Sequence, residues 1–158
     1  MSILAVVVRR RGKEREQALA IENEGDSPMR FMMFMYPGIK EEEWQPSAED
    51  VAAMGRYNDE LRKAGMLLSL DGLQPPSEGA RVRFESEAPT VTDGPFAEAK
   101  EVVGGYWLIQ ARDKAEAVEW AGRCPAGAGD MIEVRRVFET DDFPQEVQEA
   151  YEEADPGA

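Results

Sequence analysis

The residues with the clearest chemical potential lie around one corner of the chain. Asp93 is followed by glycine and proline. This order predicts a turn, because glycine reaches positive φ and proline fixes its own φ at about −65°. The turn leaves the Asp93 carboxylate at the lip of a cleft, either bound to its own backbone or available as an acid, a base or a polar anchor. Glu98 and Lys100 follow within reach, and Lys100 is predicted to hold an anionic group of a substrate.

Two tyrosines and a glycine pair complete the predicted site. Tyr36 ends an apolar run, and Tyr106 directly follows Gly104 and Gly105. Each tyrosine ring offers an apolar wall with a polar tip. The glycine pair is interpreted as a β-bulge, and the alternative is a shallow floor beside Tyr106 on which a flat small molecule lies. Asp71 is interpreted as a turn former, with a second cleft carboxylate as the alternative.

Several kinds of chemistry are excluded by the scarcity of histidine and cysteine. The chain has no histidine, which removes the usual near-neutral acid or base, the commonest metal ligand and every Ser-His or Cys-His nucleophile. Neither a metal site nor a cofactor is predicted. The one cysteine, Cys124, ends a predicted helix without an activating partner and is interpreted as structural. A single cysteine agrees with a reducing compartment, so a cytoplasmic location is expected.

The charge balance restricts the partners. With 18 basic and 32 acidic side chains, the net charge is −14. Such a charge opposes binding to nucleic acid or to an anionic membrane surface. The sequence also lacks an apolar run of about 18 residues, so no membrane-spanning helix is predicted. A small-molecule ligand remains compatible with this composition.

Hydrophobic patterns predict an α+β domain. In chain order they indicate a strand, a helix, a strand, a hairpin, a strand, a helix and a strand, at residues 31–36, 47–64, 66–70, 81–92, 104–109, 113–124 and 132–138. This is a ferredoxin-like βαββαβ order with an inserted β-hairpin. The first strand is apolar without alternation and is predicted to be buried on both faces. Arg81 and Arg83 of the hairpin are interpreted as ion-pair partners of nearby carboxylates. The alternative is that they bind an anionic substrate.

A homodimer is expected from the same pattern. Two helices cover only one face of such a sheet, and the other face remains apolar. Pairing two copies, sheet against sheet, buries both.

The two ends of the chain are predicted to lie outside this domain. Residues 1–28 mix charges and turn formers, and they are interpreted as a leader outside the core. Residues 29–140 form the domain. Residues 141–158 contain seven acidic side chains and no basic one. This acidic tail allows one short amphipathic helix, which docks on the domain or recruits a protein partner.

The corner motif also resembles a known family. Asp-Gly-Pro-Phe at 93–96, with Ala-Glu-x-Lys-Glu and Gly-Gly-Tyr after it, is similar to the DGPF group of the YCII-related family. The segments at 70–76, 120–125 and 132–135 also resemble this group, so that the similarity covers residues 29–139. The resemblance implies a small bacterial domain with a ferredoxin-like fold that pairs into a dimeric α+β barrel.

The resemblance implies architecture more strongly than chemistry, because the DGPF group has no settled activity. The His-Asp pair associated with the wider family has no counterpart here, since the chain lacks histidine. One hypothesis is a small-molecule enzyme or ligand-binding domain with its cleft near Asp93. The alternative is a non-catalytic regulatory or interaction module, because the resembled group is often encoded beside alternative sigma factors. Whether the protein is an enzyme stays open at this point.

Overall fold

The structure, a computed structural model, describes residues 28–85, 88–96 and 101–154. Contacts divide the chain into a unit of residues Pro28–Arg136 and a second unit that contains residues 137–154. The leader predicted over residues 1–28 lies, apart from Pro28, outside the described residues. The strands are β1 Met29–Tyr36, β2 Leu67–Gly72, β3 Ala80–Arg83, β4 Thr90–Asp93, β5 Gly105–Ala111 and β6 Met131–Arg136. The α-helices are α1 Ala48–Lys63, α2 Lys114–Ala121 and α3 Gln145–Ala154.

Four strands of the larger unit form one antiparallel sheet. Its strand order is β2-β5-β1-β6, and each neighbouring pair is antiparallel. If the hairpin strands β3 and β4 are set aside, this is the order 4-1-3-2 of a ferredoxin-like fold, with helices between the first and second and between the third and fourth strands. The predicted α+β, ferredoxin-like architecture with an inserted hairpin is confirmed.

Both helices of this unit begin where their capping residues predict. The Ser47 hydroxyl accepts the Asp50 amide, and the Asp50 carboxylate accepts the Ser47 amide, which forms a capping box at the start of α1. The Asp113 carboxylate accepts the Glu116 amide at the start of α2. After α1 the chain turns at Gly65, where φ is 71°, a backbone conformation that favours glycine.

The core lies between the helices and one face of the sheet. Because side chains alternate along a strand, Phe31 and Met33 of β1 face the same way as Trp107 and Ile109 of β5. The helices add further buried side chains, namely Tyr57, Leu61 and Ala117. Two side-chain hydrogen bonds hold α1 in place: the Tyr57 hydroxyl donates to the Trp120 carbonyl at 3.0 Å, and Trp107 Nε1 donates to Asn58 Oδ1 at 2.8 Å.

The second face of the sheet differs from the prediction. Met32, Phe34 and Leu108 occupy this face and are half-buried, so β1 is fully buried on one face only. The reason is that neither α1 nor α2 packs on this face. We call the group Met32, Phe34 and Leu108 the second-face patch.

The inserted hairpin forms a sheet of its own. Strands β3 and β4 pair from Ala80 with Asp93 to Arg83 with Thr90, and Val82 lies directly opposite Val91. Every residue of both strands is exposed. Val82, Val91 and Phe84 are 51%, 62% and 81% exposed. The hairpin therefore carries an uncovered apolar surface.

The second unit contains the acidic helix α3. Within it, Phe143 stacks on Phe138 with ring centroids 5.1 Å apart, and Tyr151 packs against Phe143 at 5.6 Å. The Gln148 side-chain amide donates to the Phe143 carbonyl at 2.8 Å. An aromatic cluster thus joins α3 to the segment that precedes it.

Candidate functional site

The Asp-Gly-Pro corner is closely packed against the turn that follows β2. The Gly94 amide donates to the Gly79 carbonyl at 2.9 Å, and the Gly94-Pro95 peptide bond is cis. A Cβ at position 94 would overlap the carbonyl oxygen of Pro76. Only glycine therefore permits this approach of the two backbones. Asp93 ends β4 with an exposed side chain, and no described residue is found hydrogen-bonded to its carboxylate.

Two cavities lie where the corner meets the loops at one end of the main sheet. The larger cavity has a volume of about 490 Å³ and the smaller one of about 350 Å³. The larger cavity is lined by Pro37, Ile39, Lys40, Glu41, Glu42, Trp44, Pro76, Pro95, Phe96 and Val102. The smaller cavity is lined by Leu73, Gln74, Pro75, Pro76, Glu78, Gly79, Arg81, Phe96, Glu101, Val102 and Val103. The loop after β2 and the segment between β4 and β5 contribute to both cavities, whereas the loop after β1 lines only the larger one.

Phe96 lines both cavities, as Pro76 and Val102 also do. The Arg81 guanidinium lies 3.9 Å from the centroid of the Phe96 ring, a cation-π contact that holds the ring from the hairpin side. Arg83 lies 3.7 Å from the Glu85 carboxylate, as the interpretation of paired arginines predicts. Arg81 instead borders the smaller cavity, stacked on an aromatic ring.

The two predicted tyrosines lie on the second face of the main sheet. The Tyr36 hydroxyl donates to Glu133 Oε2 at 2.9 Å, and the Tyr106 hydroxyl donates to Asp71 Oδ2 at 2.7 Å. Phe34 pairs with Tyr106 on one side and with Glu133 on the other. Two tyrosine-carboxylate pairs therefore flank the second-face patch.

Both hydrogen bonds change the acidity of the phenols. The hydrogen bond to Glu133, together with desolvation and the Glu133 charge, raises the pKa of Tyr36. The hydrogen bond to Asp71 raises the pKa of Tyr106 in the same way. A phenol that donates to a carboxylate loses that bond on ionisation. Both tyrosines are therefore neutral hydrogen-bond donors near pH 7.

The interpretation of Asp71 as a turn former is wrong. Asp71 lies inside β2, where it pairs with Tyr106 across the strands. Its neighbour Gly72 misled the sequence reasoning, because an Asp-Gly pair usually marks a turn. Here the ladder continues to Gly72 opposite Gly105, and the turn begins beyond it.

The interpretation of the glycine pair as a bulge is also wrong. The register of β1 with β5 runs from Met35 opposite Gly105 without a shift, and the Gly104 amide donates to the Met35 carbonyl at 2.8 Å. The irregularity of this sheet lies in β2, between Leu67 and Ser69. Glycine is required at 104 for another reason: a Cβ there would lie 2.6 Å from Cγ of Pro37.

The structure thus separates the predicted site residues into two groups. Tyr36, Gly104, Gly105 and Tyr106 lie at one end of the main sheet, whereas Asp93 lies in the hairpin sheet. Glu98 and Lys100 lie outside the described residues. Sequence reasoning missed Glu133, Trp44 and Phe96 as site residues. The alternation of Met131, Glu133 and Arg135 was the available signal for Glu133, but nothing local distinguished Trp44.

No metal centre or activated nucleophile emerges from residues 28–85, 88–96 and 101–154. These ranges contain no group of three acidic or cysteine side chains arranged to hold a metal ion. Burial, with a smaller contribution from Asp130, raises the pKa of Cys124 to about 11. The thiol is therefore protonated near neutral pH and is a poor nucleophile.

The raised pKa of Cys124 predicts slow alkylation of its thiol. A rise from the usual value of 9.0 to about 11 lowers the thiolate fraction at pH 8 by about a hundredfold, and only the thiolate reacts. We expect iodoacetamide to alkylate Cys124 of the folded protein about a hundredfold more slowly than free cysteine, as followed by intact mass. In urea the rate should return to that of free cysteine. Equally fast reaction of the folded protein would contradict the raised pKa of this half-buried thiol.

Across the described part of the chain, no helix combines the length and apolar character needed to span a membrane.

These features define a small α+β domain of the ferredoxin-like class, with cavities at a glycine-proline corner. The YCII-related domain matches residues 29–141, and the chain therefore belongs to the YCII-related family. The resemblance noted from the corner motif is confirmed. An uncharacterised protein of Rhizobium meliloti is 35% identical over 80 residues, which cover 51% of this chain and 62% of that protein.

Proposed function

We propose that this chain is a small-molecule-binding domain whose ligand occupies the larger cavity below the Asp-Gly-Pro corner. The observation that carries the proposal is the composition of this cavity, which joins apolar walls to a few charged groups. Trp44, Phe96 and three prolines supply the walls, and Lys40, Glu41 and Glu42 supply the charges. Ligand sites are commonly concave and apolar with a small number of polar groups.

Asp93 is the candidate for chemistry beside this site, although it lines neither cavity. It lies two residues before Pro95, which lines the larger cavity, and its exposed carboxylate has no hydrogen-bond partner among the described residues. A carboxylate in this position is available to bind a polar group of a ligand or to move a proton. The contrasting role, a purely structural turn former, needs hydrogen bonds from its own turn.

The substitution Asp93→Asn separates these roles. We expect the variant to keep the melting temperature within about 2 °C, because a change at an exposed site costs little stability, and to lose ligand affinity at least about tenfold. Native mass spectrometry of protein purified without ligand washes identifies a retained ligand, which is then titrated into both forms. A variant that unfolds would assign Asp93 to the turn, and one that binds normally would remove it from the site.

We also propose that the protein is a homodimer. The second-face patch is apolar, half-buried and not covered by α1 or α2, so a second copy that packs its own sheet there would complete a two-layer arrangement. The Tyr36-Glu133 and Tyr106-Asp71 pairs would lie at the edges of this contact. Their phenols already have acceptors, so the contact can form without unpaired hydroxyls.

A regulatory or interaction module is the second candidate function, and the hairpin favours it. Val82, Phe84 and Val91 form an uncovered apolar surface, and such surfaces mark interaction sites when they are contiguous. The acidic α3 offers a second surface for a protein partner, as proposed for the acidic tail. A link to alternative sigma factors and a cytoplasmic location rest on the sequence resemblance and composition alone.

A further inference from the structure

Trp44 is unusual among the polar side chains of the protein. Its indole follows the short turn Glu41–Glu43 and lines the larger cavity. Nε1 of this indole is buried and has no hydrogen-bond acceptor, and it is the only such buried side-chain atom in the described ranges. The contrast with Trp107 is direct, because Nε1 of Trp107 donates to Asn58 at 2.8 Å.

An unpaired buried donor is destabilising, because the N–H group loses its hydrogen bond to water and gains nothing in return. Proteins pair almost all such groups. The unpaired Nε1–H group of Trp44 therefore points to a hydrogen-bond acceptor on a molecule that binds the protein. Trp44 also lines the larger cavity, so a ligand bound there is adjacent to this indole.

The rest of the cavity restricts what this ligand can be. The planar rings of Trp44 and Phe96 suit a planar molecule, and the three prolines of the cavity, Pro37, Pro76 and Pro95, add apolar surface. Glu41 is already engaged, since its Oε1 accepts the Ser77 amide at 3.1 Å. Lys40 and Glu42 also line the cavity. Lys40 offers a cation to an oxygen that carries negative charge, whereas the Glu42 carboxylate opposes a second negative charge on the ligand.

We propose that the ligand is a flat, largely apolar molecule with a carbonyl or carboxylate oxygen that accepts a hydrogen bond from Nε1 of Trp44. This inference rests on the proposed binding function and names the ligand class for the same cavity. Because Nε1 is covered in the present structure, the indole ring must turn for the oxygen to reach it. Binding therefore changes the environment of Trp44.

The test uses the full chain and three probes of similar size: benzoate, benzamide and benzylamine. Affinities are measured by ligand-observed NMR for the wild type, Trp44→Phe and Phe96→Ala. We expect benzoate and benzamide to bind more tightly than benzylamine. Trp44→Phe keeps an aromatic wall but removes the donor, and it should weaken the two oxygen probes about three- to tenfold. Phe96→Ala removes a wall and should weaken all three.

A second measurement uses only the wild-type protein and so does not depend on whether a variant folds. The chain has three tryptophans, so a ¹⁵N spectrum shows their indole N–H signals. On addition of benzoate or benzamide, we expect the Trp44 signal to shift as it gains an acceptor, while the signal of Trp107, already paired with Asn58, stays in place.

Different results separate the ligand class from the binding function itself. Binding of benzylamine as tightly as benzoate, sensitive to Phe96→Ala but not to Trp44→Phe, would overturn the ligand class and preserve the cavity as the site. A Trp44 signal that does not move at saturation would do the same. If no probe binds the wild type, the ligand class is again wrong, and a retained ligand in native mass spectrometry decides the binding function separately. Benzoate tighter than benzamide would assign the oxygen to a carboxylate near Lys40, and the reverse to a neutral carbonyl.

Discussion

Substitution of Gly94 by alanine should lower the free energy of unfolding by about 2–4 kcal/mol, a large effect for one methyl group. The added Cβ would overlap the Pro76 carbonyl oxygen and approach the Pro76 carbonyl carbon. Both atoms belong to the backbone, so no side chain can rotate away to relieve the overlap. The corner and the turn Pro76–Glu78 must separate, and the measurement is urea unfolding followed by circular dichroism.

A matched control exists in α1. Gly55 lies inside this helix, and a Cβ at its position has no heavy atom within 4 Å. Gly55→Ala should therefore raise the free energy of unfolding by about 0.5–1 kcal/mol, because alanine is the better helix former. If Gly94→Ala were as stable as the wild type, the close approach of the two backbones would be refuted. Separation of the corner should also weaken any ligand in the larger cavity, since Pro76 and Pro95 are both in its wall.

The second large effect is expected for the proposed homodimer. Phe34 lies in the centre of the second-face patch, between Tyr106 and Glu133. Phe34→Lys would bring a charge from each copy into an apolar contact, where the desolvation of that charge costs several kcal/mol even beside Glu133. We expect the dissociation constant of the dimer to rise by at least about a hundredfold, which at micromolar concentration gives a monomer. Sedimentation velocity reports the mass.

Val51→Lys is the control for this substitution. Val51 is 57% exposed on α1, on the helix side of the sheet, so the variant should keep the mass of the wild type. If Phe34→Lys remains a dimer, the second face is not the contact. A monomer produced instead by Val82→Lys would assign the contact to the hairpin. A monomeric wild type would exclude the homodimer altogether.

Much of the fold was predictable because its signals are local. The capping box of Ser47 and Asp50, the cap at Asp113 and the alternation of the hairpin each depend on residues within a few positions. The element order then restricts the topology, since the helices must cross between non-adjacent strands and cover a sheet face. The burial of β1 was harder to predict from the sequence. Its uninterrupted apolar run does not show whether its second face meets another layer of the same chain.

The candidate site was predicted less completely, because its parts come from distant segments. The turn at Asp93 follows from glycine and proline, but the closeness of Gly94 to Pro76 depends on how two loops pack. Asp71 and Gly72 have the composition of a turn, yet pairing with β5 extends them as a strand. The glycine pair has the composition of a bulge, yet the ring of Pro37 explains Gly104. In each case a tertiary contact outweighed the local preference.

The sequence by itself determined the class of fold, the family, the lack of histidine chemistry and the corner at which the chain turns. These properties depend on composition and on short-range patterns, which can be read directly from the sequence. Only the tertiary structure decided that Trp44 and Phe96 border one cavity, that Nε1 of Trp44 lacks an acceptor, and that Tyr36 and Tyr106 donate to Glu133 and Asp71. Tyr36 and Glu133 are 97 positions apart in the chain, and only the register of the folded sheet brings such residues into contact.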